Sequence, residues 1–521
     1  MKYRAWLSFF YAVPWLLAAG MGLLFASAAL AQVPLPPASA DSLRALSRER
    51  HPPPLAPVVA PTDTLVRVGV CPAQRIRVAA ILFAGNVRTR ERTLRAELDF
   101  HEGDSLNVAE LPARLEANRR RLFNLQLFHA VLAQASCGGT GQLTILFSVQ
   151  ERWYILPTPI FSTTPGNLNA WYSRTNRWQR LDYGLHLTDT NFRGRAEQVT
   201  ANIQFGFNRK FELFYEAPGL GRRRRVGVGF GISYYQSRNL DYITLNDRLV
   251  DLGDHPEEDV FAIQRFYATG GLRLRHTVQL VSALDFSYHR EQISDLIYGL
   301  NPDYLLGLQQ RQYLEASLIT THNQRNTFAY PLTGQFLQGA LTFRQFVGAE
   351  RSPSYATLRL HYSRYLSLGH GLYYAIGMGA QTRLFAPELA YADARGLGYS
   401  VLVRGYDYYV AEGRYSGLVQ QGLSLRAWAP PPLRIPFVGN PKVNTLPLAV
   451  YINAFTDAGL TGGSLHRAQP LPNLLPDQLL ASVGLGLHLV TYYDRVFCFE
   501  LIRTLTVYRS TGFFLRTSFP I

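Results

Sequence analysis

Cysteine, methionine and charge are all scarce in this chain of 521 residues, which holds three Cys, three Met and 17% charged side chains. Three cysteines in such a length exclude a disulfide scaffold and an iron–sulfur protein. Beyond the N-terminus no stretch approaches the ~20 apolar residues that a spanning helix needs, so a bundle of membrane helices is excluded. The mean hydropathy of −0.05 agrees with that exclusion. No G-x-S-x-G, H-E-x-x-H, P-loop or paired-cysteine metal motif is present. The expectation is therefore no enzyme, no catalytic residue, no cofactor and no metal.

What is abundant is 30 Tyr, 30 Phe and 42 Gly. That composition suits strands in which apolar and polar residues take turns. The N-terminus reads as a secretory signal over residues 1–31. Lys2 and Arg4 supply the positive start, Trp6 to Phe25 is apolar, and Ala29-Leu30-Ala31 is a small-x-small cleavage site. A retained helical anchor is the alternative, against which Pro14 stands in mid-segment. The net charge of +15 suits an anionic membrane surface, and the signal argues against nucleic acid. Positive charge is scattered except for Arg222-Arg223-Arg224-Arg225, read as a solvated turn with contact to anionic lipid as the alternative.

Residues 32–74 are rich in Pro, Ala and Ser and read as an extended linker, a tether that could also bind a periplasmic helper. Residues 75–152 read as a small α+β module. Ile76 to Phe83 is a strand, followed by the turn Gly85-Asn86. Arg90 to Leu98 and Val108 to Leu125 are helices, the second with Leu111, Leu115, Leu122 and Leu125 on one stripe. Ala130 to Gln134 and Leu143 to Val149 are strands around a Cys137-Gly138-Gly139 turn. Cys71 and Cys137 flank the module; an oxidising compartment allows a disulfide between them, and two separate thiols are the alternative. The order, the Gly85-Asn86 turn and the ending Leu125-Gln126-Leu127-Phe128 resemble a POTRA domain, although that family's glycine before the final Phe is missing.

From residue 153 to 521 a two-residue period takes over. In Val226 to Ile232 glycines alternate with apolar residues, and Leu372 to Gln381 and Ala481 to Leu489 repeat the pattern. Successive side chains of a strand point to opposite faces, so one face suits lipid and the other a lumen. Backbone groups in hydrocarbon must all be paired, so such a sheet has to close. About sixteen such segments are expected, joined by short periplasmic turns and long outer loops. His361 and His488 fall on the lumen face and read as structural polar residues.

Signal, module and barrel together resemble the BamA/TamA superfamily of outer-membrane assembly proteins, the bacterial surface antigen family. Val403-Arg404-Gly405-Tyr406 is similar to its loop-six motif V/I-R-G-F/Y, and Phe455 to Gly459 to its F-x-D-x-G. Asn326, Pro331 and Gly334 resemble its D-x4-P-x2-G periplasmic turn, with Asn in place of Asp. Asp189 to Gly194 resembles its D-x-N-F/L-x-G. The resemblance implies a loop folded into the lumen and pinned by Arg404 to Asp457, because a buried arginine needs a partner. It also places a glutamate on the twelfth strand, where alignment puts Arg426; Arg426 would compete for Asp457 unless Glu412 takes one arginine.

The fold class is thus a periplasmic α+β domain followed by an all-β antiparallel transmembrane barrel, in a bacterial outer membrane. The last strand is expected to end near Phe519, because Pro520 cannot donate to a ladder. Pro157 and Pro159 in the first strand weaken the closing seam from the other side. The implied function is an assembly or insertion factor. It would receive unfolded client polypeptides on the module by β-augmentation and pass them through the seam into the lipid bilayer. The alternatives are a polypeptide transporter of the two-partner type, a lipid transporter, and a Ser-His-Asp phospholipase on the barrel wall.

Overall fold

The computed structural model describes residues 66–521 except 70, 72, 139–140, 165–171, 173–176, 222–223, 254–259, 349–353, 431–432, 435–444, 447, 464–471, 492–494 and 518–520. The signal and the linker as far as residue 65 lie outside the described residues.

The N-terminal module comprises β1 (Val66–Val68), β2 (Arg75–Ala84), α1 (Glu91–Arg95), β3 (Ser105–Asn107), α2 (Leu111–Asn124), β4 (Phe128–Cys137) and β5 (Gln142–Glu151). They form one five-stranded sheet in the order β1-β4-β5-β2-β3. Alternate residues of β2 and β5 (Ile76, Val78, Ile81, Leu143, Ile145, Phe147) meet the Leu111, Leu115 and Leu122 stripe of α2 in a single core. β1 lies inside the stretch read as linker and pairs in parallel with β4. A disulfide joins Cys71 to Cys137, tying the end of β1 to the end of β4. The missing family glycine has a local consequence: Gln126, which stands there, takes φ +58° where the chain leaves α2. An L-residue pays roughly 1–2 kcal/mol for that conformation, and the buried Leu127 and Phe128 just beyond it hold the chain there.

The second part is one antiparallel sheet of sixteen strands. It opens with β6 (Ile155–Thr163), β7 (Leu181–Phe192), β8 (Glu197–Gly206), β9 (Arg209–Leu220) and β10 (Val226–Ser237). A small outer hairpin, β11 (Ile243–Leu245) and β12 (Arg248–Val250), stands apart from it. The sheet continues through β13 (Ile263–Arg275), β14 (Leu280–Ile293), β15 (Gln310–Asn323), β16 (Gly334–Val347), β17 (Tyr355–Gly369), β18 (Leu372–Leu384) and β19 (Tyr415–Trp428). After the pair β20 (Leu433–Arg434) and β21 (Thr445–Leu446) it ends with β22 (Ala449–Gly462), β23 (Leu479–Thr491), β24 (Arg495–Thr504) and β25 (Thr511–Arg516). A short helix, α3 (Asp295–Leu300), sits on an outer loop.

The period-two pattern sorts the faces. Phe230, Ile232, Leu314, Leu341, Leu485 and Leu501 are exposed on the outside, while Ser233, Glu315, Ser482, His488 and Glu500 are buried within. Connections on the module's side are short, with two exceptions: the turn 324–333, and residues 429–448, which carry β20 and β21. The last ladder ends, among the described residues, at Arg516; Phe519, near which the strand was expected to end, lies outside them. Of the arginine run, Arg222 and Arg223 lie outside the described residues, Arg225 is exposed as a solvated turn would have it, and Arg224 differs from expectation. Arg224 is neither solvated nor set against lipid; it is buried and donates to the Arg195 carbonyl at 2.7 Å.

Candidate functional site

The loop of residues 385–414, between β18 and β19, folds into the lumen. Arg404 and Asp457 are both 1% exposed. Arg404 Nε and Nη2 each donate to a different Asp457 oxygen at 2.5 Å, and the Arg404 backbone N–H adds a third contact at 3.2 Å. The guanidinium also lies over the Phe455 ring, 3.2 Å from its centroid. Asp457 and Phe455 are two residues apart on β22, so both face inward. Gly405 has φ +92°, and a Cβ there would meet Ile502 and Thr504 of β24 at 2.7 and 2.8 Å. Val403 and Tyr406 are buried beside it, and the Tyr406 hydroxyl is 2.8 Å from Thr506 Oγ1.

Neither proposed secondary partner joins this pair. The β19 residue at the clasp is Gln420, the register partner of Asp457, whose Nε2 donates to Asp457 at 3.0 Å. Arg426 stands six residues further along β19, opposite Tyr451 near the periplasmic end. Arg426 therefore does not compete with Arg404 for Asp457. Glu412 accepts from the Thr244 and Tyr399 hydroxyls in the upper part of the loop, away from Arg404.

Two further anchors hold the same loop. Asp407 receives both terminal nitrogens of Arg516, from the last strand, at 2.5 and 3.0 Å. Asp393 receives Arg311 of β15 at 2.6 and 3.0 Å and Arg344 of β16 at 2.7 Å. Sequence reasoning missed these anchors. Asp407 directly follows the four-residue motif, which was a usable signal. The Asp393 set is made by inward-facing arginines on two strands far away in sequence, and nothing local marks it.

The periplasmic turn also closes on the lumen. Asn326 Oδ1 accepts the backbone N–H groups of Leu332 and Thr333 at 3.0 and 3.1 Å, an acceptor role that a carboxylate oxygen could fill as well. Pro331 is buried, and Gly334 comes so close to the Gln324 carbonyl that a Cβ would lie 2.2 Å from it. This turn carries Tyr330 inward, where its ring packs on Tyr451 and His488.

The motif from Asp189 to Gly194 is the seat of the module. Asp189 pairs with Arg88 at 2.8 Å, and Asn191 Nδ2 donates to Thr89 Oγ1 at 2.9 Å. Arg90 N–H and the Thr93 hydroxyl both donate to the Gly194 carbonyl. Burial pushes the Tyr154 phenol above its ordinary pKa, so it stays neutral and shares a hydrogen bond with Thr89. On the next side, Glu97 of the module takes a two-pronged contact from Arg275, the last residue of β13. Gly194 has φ +72°, and a Cβ would stand 2.1 Å from the Arg88 carbonyl. Gly194→Ala is therefore expected to unseat the module: trypsin will cut at Arg88 and Arg90 in the folded protein, while the barrel keeps its compact gel migration. Unchanged proteolysis would mean that the contact holds nothing in place.

The module's two sheet edges differ. Beyond β3, the edge of β2 is blocked by side chains: Glu102 accepts from Ile81 N–H at 3.0 Å and Arg95 donates to the Ile81 carbonyl at 2.8 Å. On the other edge, β1 covers β4 only from Ala133 to Ala135. Among the described residues no strand pairs with the outer edge of β4 from Phe128 to Leu132. The barrel has an analogous opening. The sixteen-stranded order runs from β25 to β6, and among the described residues no ladder joins these two end strands.

Two family descriptions match this chain. One, the Omp85 superfamily domain, covers residues 191–491; the other, a POTRA-type surface antigen variable number repeat, covers residues 76–152. No protein of curated function matches. Similar solved structures include BamA from Haemophilus ducreyi lacking POTRA domains 1–3, 16% identical over 85% of this chain and 84% of that one, with a TM-score of 0.48. CdiB from Escherichia coli is 14% identical over 84% of this chain and 75% of its own, with a TM-score of 0.49. CdiB from Acinetobacter baumannii is 17% identical over 86% and 74%, with a TM-score of 0.45.

Proposed function

The chain belongs to the Omp85 superfamily, and on that premise we propose that it inserts client β-strands into the outer membrane through the seam between β6 and β25. It is an outer-membrane barrel with one POTRA domain in the periplasm, in a superfamily of non-enzymatic transport and assembly barrels that handle polypeptides. The observation that carries the finer reading is the seam. β6 spans nine residues and includes Pro157 and Pro159, whereas β25 spans six. A proline in a paired strand keeps its nitrogen on the unpartnered side. The edge of β6 that faces the seam is therefore short of donors, and weak pairing there lets a client strand compete for the wall.

Clients would reach the seam by way of the POTRA sheet, adding a strand to the open edge of β4 between Phe128 and Leu132. The lumen favours this lateral route over passage along the axis. Its loop is pinned at Asp393, Arg404 and Asp407 to four different strands, all of which would have to be released to clear a channel. The test is depletion of the protein followed by an inventory of the outer membrane. Loss of several barrel proteins is expected. Loss of a single secreted protein would instead assign polypeptide export, and altered surface lipid alone would assign lipid transfer.

A further inference from the structure

Beside the Arg404 clasp, three side chains of metal-binding type meet in the wall. His488 of β23 and Cys498 of β24 are register partners, and Glu500 stands two residues further on the same inward face. All three are buried. One ligand atom from each lies within 4.8 Å of the others, and His488 Nε2 is already 3.0 Å from a Glu500 oxygen. The Tyr330 hydroxyl, 3.0 Å from Nδ1, fixes the imidazole with Nε2 toward the cluster. Ligating histidines are commonly oriented in this way through their second nitrogen.

Charge points the same way. Arg404 and Arg516 are each engaged bidentately by a carboxylate, Asp457 and Asp407 respectively. Glu500 is the odd carboxylate of this group. Its Oε2 is buried without a hydrogen-bond partner, and the Arg516 Nε is 3.6 Å away. A buried carboxylate so placed calls for a further positive charge.

We propose that His488, Cys498 and Glu500 bind a divalent zinc-class cation. Imidazole, thiolate and carboxylate together suit zinc, whereas calcium and magnesium take all-oxygen sets. Zinc bonds of about 2.0–2.3 Å require the ligand atoms to close by no more than about 1 Å from where they stand. Binding releases the Cys498 thiol proton to solvent, and water completes the tetrahedron. The ion would clamp the β23–β24 hairpin, whose residues Ile502 and Thr504 support Gly405. The inference rests on the wall alone and is independent of whether the barrel inserts clients.

The test uses the full chain folded in detergent with Cys71–Cys137 intact, incubated with zinc chloride, desalted and analysed for metal, with cobalt chloride as the spectroscopic substitute. One zinc per chain and a thiolate-to-cobalt charge-transfer band are expected. Cys498→Ser and His488→Gln should lose both while keeping the heat-modifiable migration of a folded barrel. Tyr330→Phe should weaken zinc binding by about 10–100-fold. A folded wild-type barrel that retains no zinc, with Glu500 and His488 merely sharing a proton, overturns the proposal, and so does zinc that persists in Cys498→Ser. Should that variant fail to fold, the wild-type cobalt spectrum decides, and absence of the charge-transfer band overturns it.

Discussion

Arg404→Ala is expected to lower sharply the temperature at which the folded barrel loses its compact migration on a gel, and to expose the 385–414 loop to protease from outside. Removing one partner of a buried ion pair costs roughly 3–5 kcal/mol, because the other charge stays behind. Here the orphan is Asp457, 1% exposed, which would keep only the Gln420 amide and a backbone N–H. The Phe455 face would lose its cation as well. Arg404→Lys should recover part of the loss, since it restores charge but not the two-pronged contact. Arg404→Ala with Asp457→Ala should be less damaging than the sum of the two, because no buried charge is then left alone. Arg426→Ala is the control. Its side chain stands opposite Tyr451, away from the clasp, and its loss should leave the transition where it is. Equal effects at the two arginines would defeat the assignment of the clasp.

The contrast between Arg404 and Arg426 shows what was legible in the sequence. Strand alternation marks which residues face inward, and a four-residue motif marks one loop. Register is not marked. A shift of six residues along β19 keeps the same face, so period-two reasoning could not tell Gln420 from Arg426. Long-range anchors are hidden for the same reason: Asp393 meets Arg311 and Arg344 only because the sheet curls. The role of the Asp189–Gly194 motif was equally invisible, since its partners Arg88 to Thr93 lie about a hundred residues earlier, in the POTRA domain. β1 was not foreseen because it has three residues, too few for a periodic signal, and owes its place to the ladder with β4 and the Cys71–Cys137 link.

A disulfide placed across the seam is expected to abolish insertion of clients. With Cys498 replaced by serine, single cysteines on β6 would be scanned against single cysteines on β25. Any pair that bridges should block assembly of client barrels in vivo, and reductant should restore it. The physical reason is competition for backbone partners. In hydrocarbon each unpaired N–H or C=O costs several kcal/mol, so an edge strand takes whichever partner satisfies more of them. β25 offers six residues to the nine of β6, and two of those nine are prolines. A client strand with a full set of donors and acceptors can therefore outbid β25 for part of that edge. β25 itself is held from inside, through Arg516 to Asp407, which follows the motif by one residue. The loop that Arg404 pins to β22 thus also restrains the strand that must move aside, so the clasp and the seam share one element. A covalent bridge removes the competition without touching the lumen or the POTRA edge. A bridged barrel that still assembled its clients at the unbridged rate would rule out the lateral route.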